Sequence, residues 1–131
     1  MKVLLDTCAI IWTVGEPERL SGDERKILEK KDTTVYFSPI SSAEIACLAE
    51  RGKVEFDRHW KLWFNHFVNL NQWTCLDITL EIIQEAYSLP GDFQQDPADR
   101  IIVATARKHD LTVITGDRKI INYAHVKTFH L

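Results

Sequence analysis

Short apolar runs alternate with helical patterns along this chain, and this alternation limits the possible folds more than any other feature of the sequence. The apolar runs predict strands over residues 2–5, 33–38, 74–78, 111–115 and 126–129. The helical patterns predict helices over residues 21–31, 41–51, 56–70, 79–87, 96–109 and 117–123. Strands that alternate with helices favour an α/β fold, here a mostly parallel sheet of about five strands flanked by helices on both faces.

Length and composition are those of a single globular domain, which we expect to cover residues 1–131. No apolar stretch is long enough to span a bilayer, and the run after Lys2 ends at Asp6, too early for a signal-peptide core. We therefore expect a cytoplasmic protein with no membrane partner. The net charge of -3 argues against a broad basic surface for nucleic acid, but it does not exclude a nuclease whose site is built from acids.

The chain has three cysteines, at Cys8, Cys47 and Cys75, and none forms a C-x-x-C pair. An odd number of distant cysteines argues against a disulfide framework or a zinc site. We expect them to be small, mostly buried apolar residues in a reducing compartment.

Acidic residues stand near the predicted strand ends or helix starts: Asp6, Glu44, Asp96, Asp99 and Asp117. In a parallel sheet the carboxyl ends of the strands meet at one edge, and ligands bind in the crevice outside that edge. The spacing therefore predicts that acids far apart in sequence lie together in the fold.

Each acid also has an alternative interpretation as a helix cap. Ser41 to Glu44 fits a capping box, and Asp96 before Pro97 fits a helix start, while Asp6 and Asp117 are open between cap and ligand. Two carboxylates about 4 Å apart repel by roughly 4 kcal/mol at an effective dielectric constant near 20. A helix N-terminus returns only about 0.3–1 kcal/mol per acid. The joint pattern therefore favours a divalent cation, and carboxylate oxygens suit Mg²⁺ or Mn²⁺.

Four segments resemble the motifs of the PIN-domain nucleases and, among them, the VapC-like toxins: residues 3–7, 41–45, 96–106 and 112–117. The resemblance implies a parallel sheet flanked by helices and a metal-dependent ribonuclease that uses Mg²⁺ or Mn²⁺. It maps the catalytic, metal-binding acids onto Asp6, Glu44, Asp99 and Asp117. Asp96 belongs to an Asp-Pro-x-Asp-Arg variant of the third motif, and its direct ligation stays open. Thr115 matches a small hydroxyl residue that supports the site.

Two arginines directly follow proposed ligands. Arg100 and Arg118 are candidate contacts to RNA phosphates, with a structural ion pair for Arg100 and a solvated side chain for Arg118 as the alternatives.

The predicted helix over residues 56–70 carries an apolar stripe formed by Trp60, Trp63, Phe64 and Phe67. Core packing is the default interpretation, and a partner surface is the alternative. The resemblance to VapC-like proteins implies a homodimer and a cognate antitoxin.

Two other functions fit part of the pattern. A receiver-like phosphoacceptor domain has a similar length and binds Mg²⁺ through acids, but it requires an acidic pair after the first strand, where Asp6 stands alone. A PIN-like interaction module without catalysis is the second alternative, and the intact set of acids argues against it.

Overall fold

The structure, a computed structural model, describes residues 1–131 as a five-stranded sheet with seven α-helices. The strands are β1 (Lys2–Leu5), β2 (Thr34–Phe37), β3 (Thr74–Cys75), β4 (Thr112–Thr115) and β5 (Lys127–His130). The helices are α1 (Thr7–Gly15), α2 (Gly22–Glu29), α3 (Pro39–Glu50), α4 (Trp60–Asn71), α5 (Leu80–Ala86), α6 (Pro97–His109) and α7 (Arg118–Ile121), with a 3₁₀ turn at Pro17–Arg19. None of these helices has the length and apolar character needed to cross a bilayer.

The sheet order is β3-β2-β1-β4-β5, and every neighbouring pair is parallel. The chain builds outward from β1 to β3 and then crosses to β4 on the other side of β1. The order therefore reverses between β1 and β4, and open α/β sheets bind ligands at such a point, outside the carboxyl ends of the strands. Receiver-like domains have the order 2-1-3-4-5, so the receiver-like alternative is wrong.

Alternation of side chains along β1 divides the core into two parts. Val3 and Leu5 pack on one face with residues of α1, α3 and α4, and Leu4 packs on the other face with residues of α6 and α7. Val3, Leu4 and Leu5 are all fully buried. Helices cover the sheet on both faces, so the predicted α/β fold is confirmed. A strand that is covered on both faces needs apolar residues at successive positions, as β1 has.

The sequence patterns locate all five strands but miss helix α1 (Thr7–Gly15). Its buried Ala9 and Ile10 lie among further apolar residues, so no polar face marks a helical period. The third strand is also shorter than predicted, at Thr74–Cys75 instead of residues 74–78.

Helix α3 starts earlier than its pattern predicts, and the capping-box interpretation of Glu44 is wrong. The N-cap is Ser38, whose Oγ accepts the backbone N–H of Ile40 at 3.2 Å, and Pro39 follows at the first helical position. Proline favours that position because its missing N–H would have no partner there. Glu44 consequently lies inside the helix, where no orphan amide requires its carboxylate.

The expectation of mostly buried cysteines is also wrong, since all three are exposed as residues. Cys75 lies on the two-residue strand β3 at the edge of the sheet, where both residues are exposed. Cys8 lies in α1, two residues after Asp6, and Cys47 lines a surface groove beside Glu44.

Candidate active site

Asp6 follows β1 directly and is the N-cap of α1. Its Oδ1 accepts the backbone N–H of Ala9 at 2.8 Å, and the residue is only 5% exposed. Burial raises the pKa of Asp6 to about 6, and the negative charges of Asp117 and Glu44 add to the rise, although hydrogen bonds from Thr115 and Ala9 oppose it. A carboxylate held this deep in the protein is costly to ionise without a compensating positive charge.

Thr115 connects the ends of β1 and β4. It is fully buried, its hydroxyl oxygen accepts the backbone N–H of Asp117 at 2.9 Å, and its proximity to the Asp6 carboxylate lowers the pKa of that group. Thr115 therefore lies between Asp6 and Asp117, and the supporting role that the resemblance implies for it stays a prediction.

Glu44 projects from the middle of α3 and is half-buried. Its Oε1 accepts a short hydrogen bond from the hydroxyl of Thr7, and the buried Ser41 Oγ lies 3.1 Å from Thr7 Oγ1. Burial raises the pKa of Glu44, the hydrogen bond from Thr7 opposes the rise, and the charge of Asp96 adds to it. A residue of α1 therefore sets the direction of an acid on α3.

Asp99 lies in the first turn of α6 and is half-buried. Its Oδ2 accepts a short hydrogen bond from the side-chain amide of Gln94. Burial raises the pKa of Asp99 to about 7, and the charges of Asp96, Asp117 and Glu44 act in the same direction, as does a side-chain interaction with Asp117.

Asp117 and Asp96 are both helix caps. Asp117 Oδ1 accepts the backbone N–H of Lys119 at 2.9 Å at the start of α7. Asp96 Oδ1 accepts the backbone N–H groups of Ala98 and Asp99 at 2.9 and 3.2 Å, and the residue is exposed. The cap interpretation of Asp96 is confirmed, and its charge still acts on Asp99 and Glu44.

The thiol of Cys8 is close to all four acids and is partly buried, although the residue as a whole is exposed. Burial raises the pKa of this thiol to about 11, and the further causes are the charges of four acids: Asp6, Glu44, Asp117 and Asp99. The charges of carboxylates at the starts of α1 and α7 and within α3 and α6 thus all act on one sulfur atom. The predicted convergence at the carboxyl edge of the sheet is present.

The four acids are close enough for their charges to influence one another, but their side chains do not form a complete set of metal ligands. In the rotamers of this structure, no three His, Cys, Asp or Glu side chains come together closely enough to hold a metal ion. The two observations agree because charges interact over about 10 Å, whereas Mg²⁺ needs oxygen atoms at about 2.0–2.1 Å. The donor chemistry fits Mg²⁺ or Mn²⁺, because carboxylate oxygens are hard ligands that suit these cations. A bound dication would also offset the mutual repulsion of the four carboxylates.

The two arginines lie in different environments. Arg100 donates to the backbone carbonyls of Gln94, Ala86 and Phe93 at 2.8, 3.0 and 3.0 Å, so it has a structural role, although it binds carbonyls and not the expected carboxylate. Arg118 is exposed at the first position of α7. Their contact with phosphate stays a prediction.

The aromatic stripe of α4 mostly faces the core. Trp63 and Phe64 are each 5% exposed, while Trp60 and Phe67 are partly buried against the same core. Core packing is therefore confirmed for the two central rings. Beside them lies a groove of about 680 Å³, lined by residues of α1, α3 and α4 and by the segment between α3 and α4.

Comparison with known proteins agrees with this geometry. The family model described as the PIN domain matches residues 3–126. Ribonuclease VapC22 of Mycobacterium tuberculosis (strain ATCC 25618 / H37Rv) is 32% identical over 123 residues, which cover 94% of this chain and 92% of that protein.

Two solved structures share the fold. The DNA-bound VapBC from Salmonella typhimurium superposes with a TM-score of 0.74 at 17% identity and covers 99% of this chain and 98% of that chain. A toxin–antitoxin complex from Klebsiella pneumoniae superposes with a TM-score of 0.66 at 20% identity and covers 98% of this chain and 99% of that chain. The matched family model and the identity to VapC22 show that this chain belongs to the PIN-domain family and, within it, to the VapC-like group.

Proposed function

We propose that this protein is a Mg²⁺- or Mn²⁺-dependent endoribonuclease that hydrolyses RNA phosphodiester bonds. The observation that carries the proposal is the mutual electrostatic influence of Asp6, Glu44, Asp99 and Asp117, which come from four separate elements. Similarity to a protein named Ribonuclease VapC22 supports the reaction class. A cluster of acids that includes Asp6, Glu44 and Asp99, each with a raised pKa, at the switch point of an α/β sheet is the expected place for such a site.

The residues divide the work of phosphodiester hydrolysis among them. Asp6, Asp99 and Asp117 would hold the cation, and Glu44 would either complete a second cation site or orient the attacking water. When bound, the cation neutralises charge on the scissile phosphate and acts as a Lewis acid. Water would attack phosphorus in line with the 3′ oxygen, and a carboxylate would accept a proton of the water. The P–O3′ bond would break, and the leaving 3′ oxygen would take up a proton from solvent. The products carry a 5′-phosphate and a 3′-hydroxyl.

One hydrogen-bonded oxygen on each acid supports this assignment. Asp6 Oδ1, Glu44 Oε1, Asp99 Oδ2 and Asp117 Oδ1 each accept a hydrogen bond from the protein. Holding one oxygen fixes the direction of a carboxylate and leaves the second oxygen for a cation, which is how outer partners orient metal ligands. Thr115 accepts the backbone N–H of Asp117 and thereby fixes the backbone of that residue, not its carboxylate.

The direct experiment is cleavage of a mixed RNA pool by purified protein with and without Mg²⁺. Native protein should cut only with the cation, while Asp6→Asn and Asp99→Asn should fold and fail to cut. Undiminished cutting by both variants would reject the assignment. A native protein that stays inactive when it is free of other proteins and supplied with Mn²⁺ would favour the non-catalytic interaction module.

A cognate antitoxin is the partner that we propose for the groove beside α1 and α4. The groove is large and partly apolar, with Ile11, Val54 and Phe56 among its lining residues. One solved structure of this fold is described as a toxin–antitoxin complex. Val54→Lys should weaken capture of a small protein encoded next to this chain, whereas Leu62→Lys, at an exposed position on α4 outside the groove, should not. Equal capture by both variants would remove the groove from the interface.

A homodimer is the assembly that we propose. Leu80, Ile83 and Tyr87 are 72%, 37% and 60% exposed, and their spacing places them along one side of α5. Apolar residues gathered on one exposed face are typical of interaction surfaces. Light scattering should give a dimer for native protein and a monomer for Leu80→Glu, and a native monomer would contradict this assembly.

A further inference from the structure

We infer that Gln94 is a positioning residue for Asp99, and that Arg100 holds Gln94 in place for this task. The inference rests on the proposed function, because it concerns how one of the proposed metal ligands is oriented. No sequence motif singles out Gln94, which lies in the segment between α5 and α6.

The contact between Gln94 and Asp99 is direct. The side-chain amide of Gln94 donates to Asp99 Oδ2, and both residues are half-buried. The charge of Asp117 also acts on Asp99, so the two carboxylates repel each other when both are ionised. A donor on Oδ2 therefore opposes the tendency of Asp99 to turn away from the other acids.

A second set of contacts fixes the segment that carries Gln94. The guanidinium of Arg100 donates from all three nitrogens, to the carbonyls of Gln94, Phe93 and Ala86. The planar guanidinium holds these carbonyls in one geometry, which a lysine ammonium does not reproduce. The Phe93 ring also packs 4.8 Å from that of Tyr123, whose hydroxyl donates to the carbonyl of Pro90. The segment is thus tied to α5, to α6 and to the end of α7.

An amide suits this position better than a charged donor. A lysine or arginine at residue 94 would neutralise Asp99 and compete with a dication for it, since a nearby positive charge favours the ionised carboxylate by pairing with it. The neutral amide orients the carboxylate and leaves its full negative charge, and Oδ1, available for the cation. Arg100 supplies rigidity through carbonyls, because each of its three nitrogens donates to a backbone carbonyl and none to Asp99.

The test is calorimetric titration of the purified full chain with Mn²⁺, combined with RNA cleavage kinetics. Gln94→Met keeps the length of the side chain and removes the donor, so it should weaken Mn²⁺ binding by about 10-fold, the usual effect of removing an outer partner of a ligand. The kcat for RNA should fall while KM stays close to the native value, since no RNA contact is removed. The matched control is Gln95→Met, at an exposed neighbouring position, which should behave like native protein.

Arg100→Lys separates this role from a phosphate contact. It keeps the charge but loses the three-carbonyl geometry, so it should weaken Mn²⁺ binding as Gln94→Met does. Native Mn²⁺ affinity in Gln94→Met, or an Arg100→Lys variant that raises only the KM for RNA, would overturn the inference. Asp99→Asn separates failure of this inference from failure of the proposed function. If this variant also binds Mn²⁺ like native protein, the proposed function fails as well.

Discussion

The acids of the site are held in two different ways, which separate Asp6 and Asp117 from Glu44 and Asp99. Backbone N–H groups at helix starts hold the first pair, three and two residues along the chain. Side chains hold the second pair: Thr7 holds Glu44 from another helix, and Gln94 holds Asp99 from the preceding segment. Local sequence therefore determines the direction of the first pair, which we call the capped acids, and tertiary packing determines the direction of the second pair.

This difference has a consequence for mutations. Removing a capped acid affects both chemistry and helix stability, because the same oxygen serves the cap and fixes the ligand. Removing a donor such as Thr7 or Gln94 affects chemistry mainly, because each acid that it holds is half-buried and can find water instead.

The largest effect is expected at Asp6. Asp6→Asn should reduce RNA cleavage by roughly 1000-fold or more, since a cation contributes several kcal/mol of charge stabilisation in such reactions. Asparagine still caps α1, whereas Asp6→Ala loses the cap and should have a free energy of unfolding about 0.5–2 kcal/mol below that of the asparagine variant. Cleavage assays and urea unfolding measure the two effects. Equal stability of the two variants would break the comparison between capped and side-chain-held acids.

The second effect is on stability as a function of pH, measured without added metal. In the unfolded chain Asp6 loses its proton near pH 3.8, but its pKa in the fold is about 6 because of burial. Ionisation of Asp6 therefore destabilises the folded state relative to the unfolded chain. The free energy of unfolding falls by roughly 2–3 kcal/mol as pH rises from about 4 to 6. The pKa of about 7 at Asp99 extends the fall toward neutral pH.

Asp6→Asn provides the control for this pH dependence, because asparagine does not ionise. Urea unfolding at pH 5 and pH 8 should show a much smaller fall for the variant than for native protein. A native protein that is more stable at pH 8 than at pH 5 would contradict the burial of an ionisable Asp6.

A third, smaller effect is expected at Thr7. Thr7→Val removes the donor to Glu44 with little change in shape and should reduce cleavage by about 10-fold. Thr7→Ser keeps the hydroxyl and should restore most of the activity. If the valine and serine variants cut RNA equally, the hydroxyl does not orient Glu44. Glu44 would then not belong to the pair of acids whose direction a side chain determines.

The smallest effect is expected at Asp96, which is exposed and serves as the N-cap of α6. Asp96→Asn keeps the cap and removes one charge near the helix start, which is worth about 0.3–1 kcal/mol. Cleavage should therefore stay close to the native level. A loss as large as that of Asp6→Asn would make Asp96 a ligand and not only a cap.

The sequence predicts the capped acids well and the other contacts poorly, for a physical reason. Asp6 and Asp117 follow apolar runs that form strands, and the order of strands and helices brings both to one edge. Glu44 is placed at that edge correctly, but the helix start is predicted wrongly, because Ser38–Pro39 is a stronger start signal than Ser41.

Contacts made by the supporting side chains have no local signature. Thr7 and Glu44 are 37 residues apart, so their hydrogen bond exists only after α1 and α3 pack together. Gln94 lies in an irregular segment whose course depends on two carbonyl contacts to Arg100, at Phe93 and Gln94. Such positions are found from the fold and not from periodicity or motif.

The central claim is that acids from distant parts of the chain lie together because a dication binds among them. Calorimetric titration with Mn²⁺ at pH 7.5, repeated in two buffers of different ionisation enthalpy, tests this claim most directly. We predict that native protein binds Mn²⁺ and releases protons, since ligands must be deprotonated, and that Asp6→Asn binds far more weakly. Absence of binding to native protein, or equal binding to both proteins, would contradict the account.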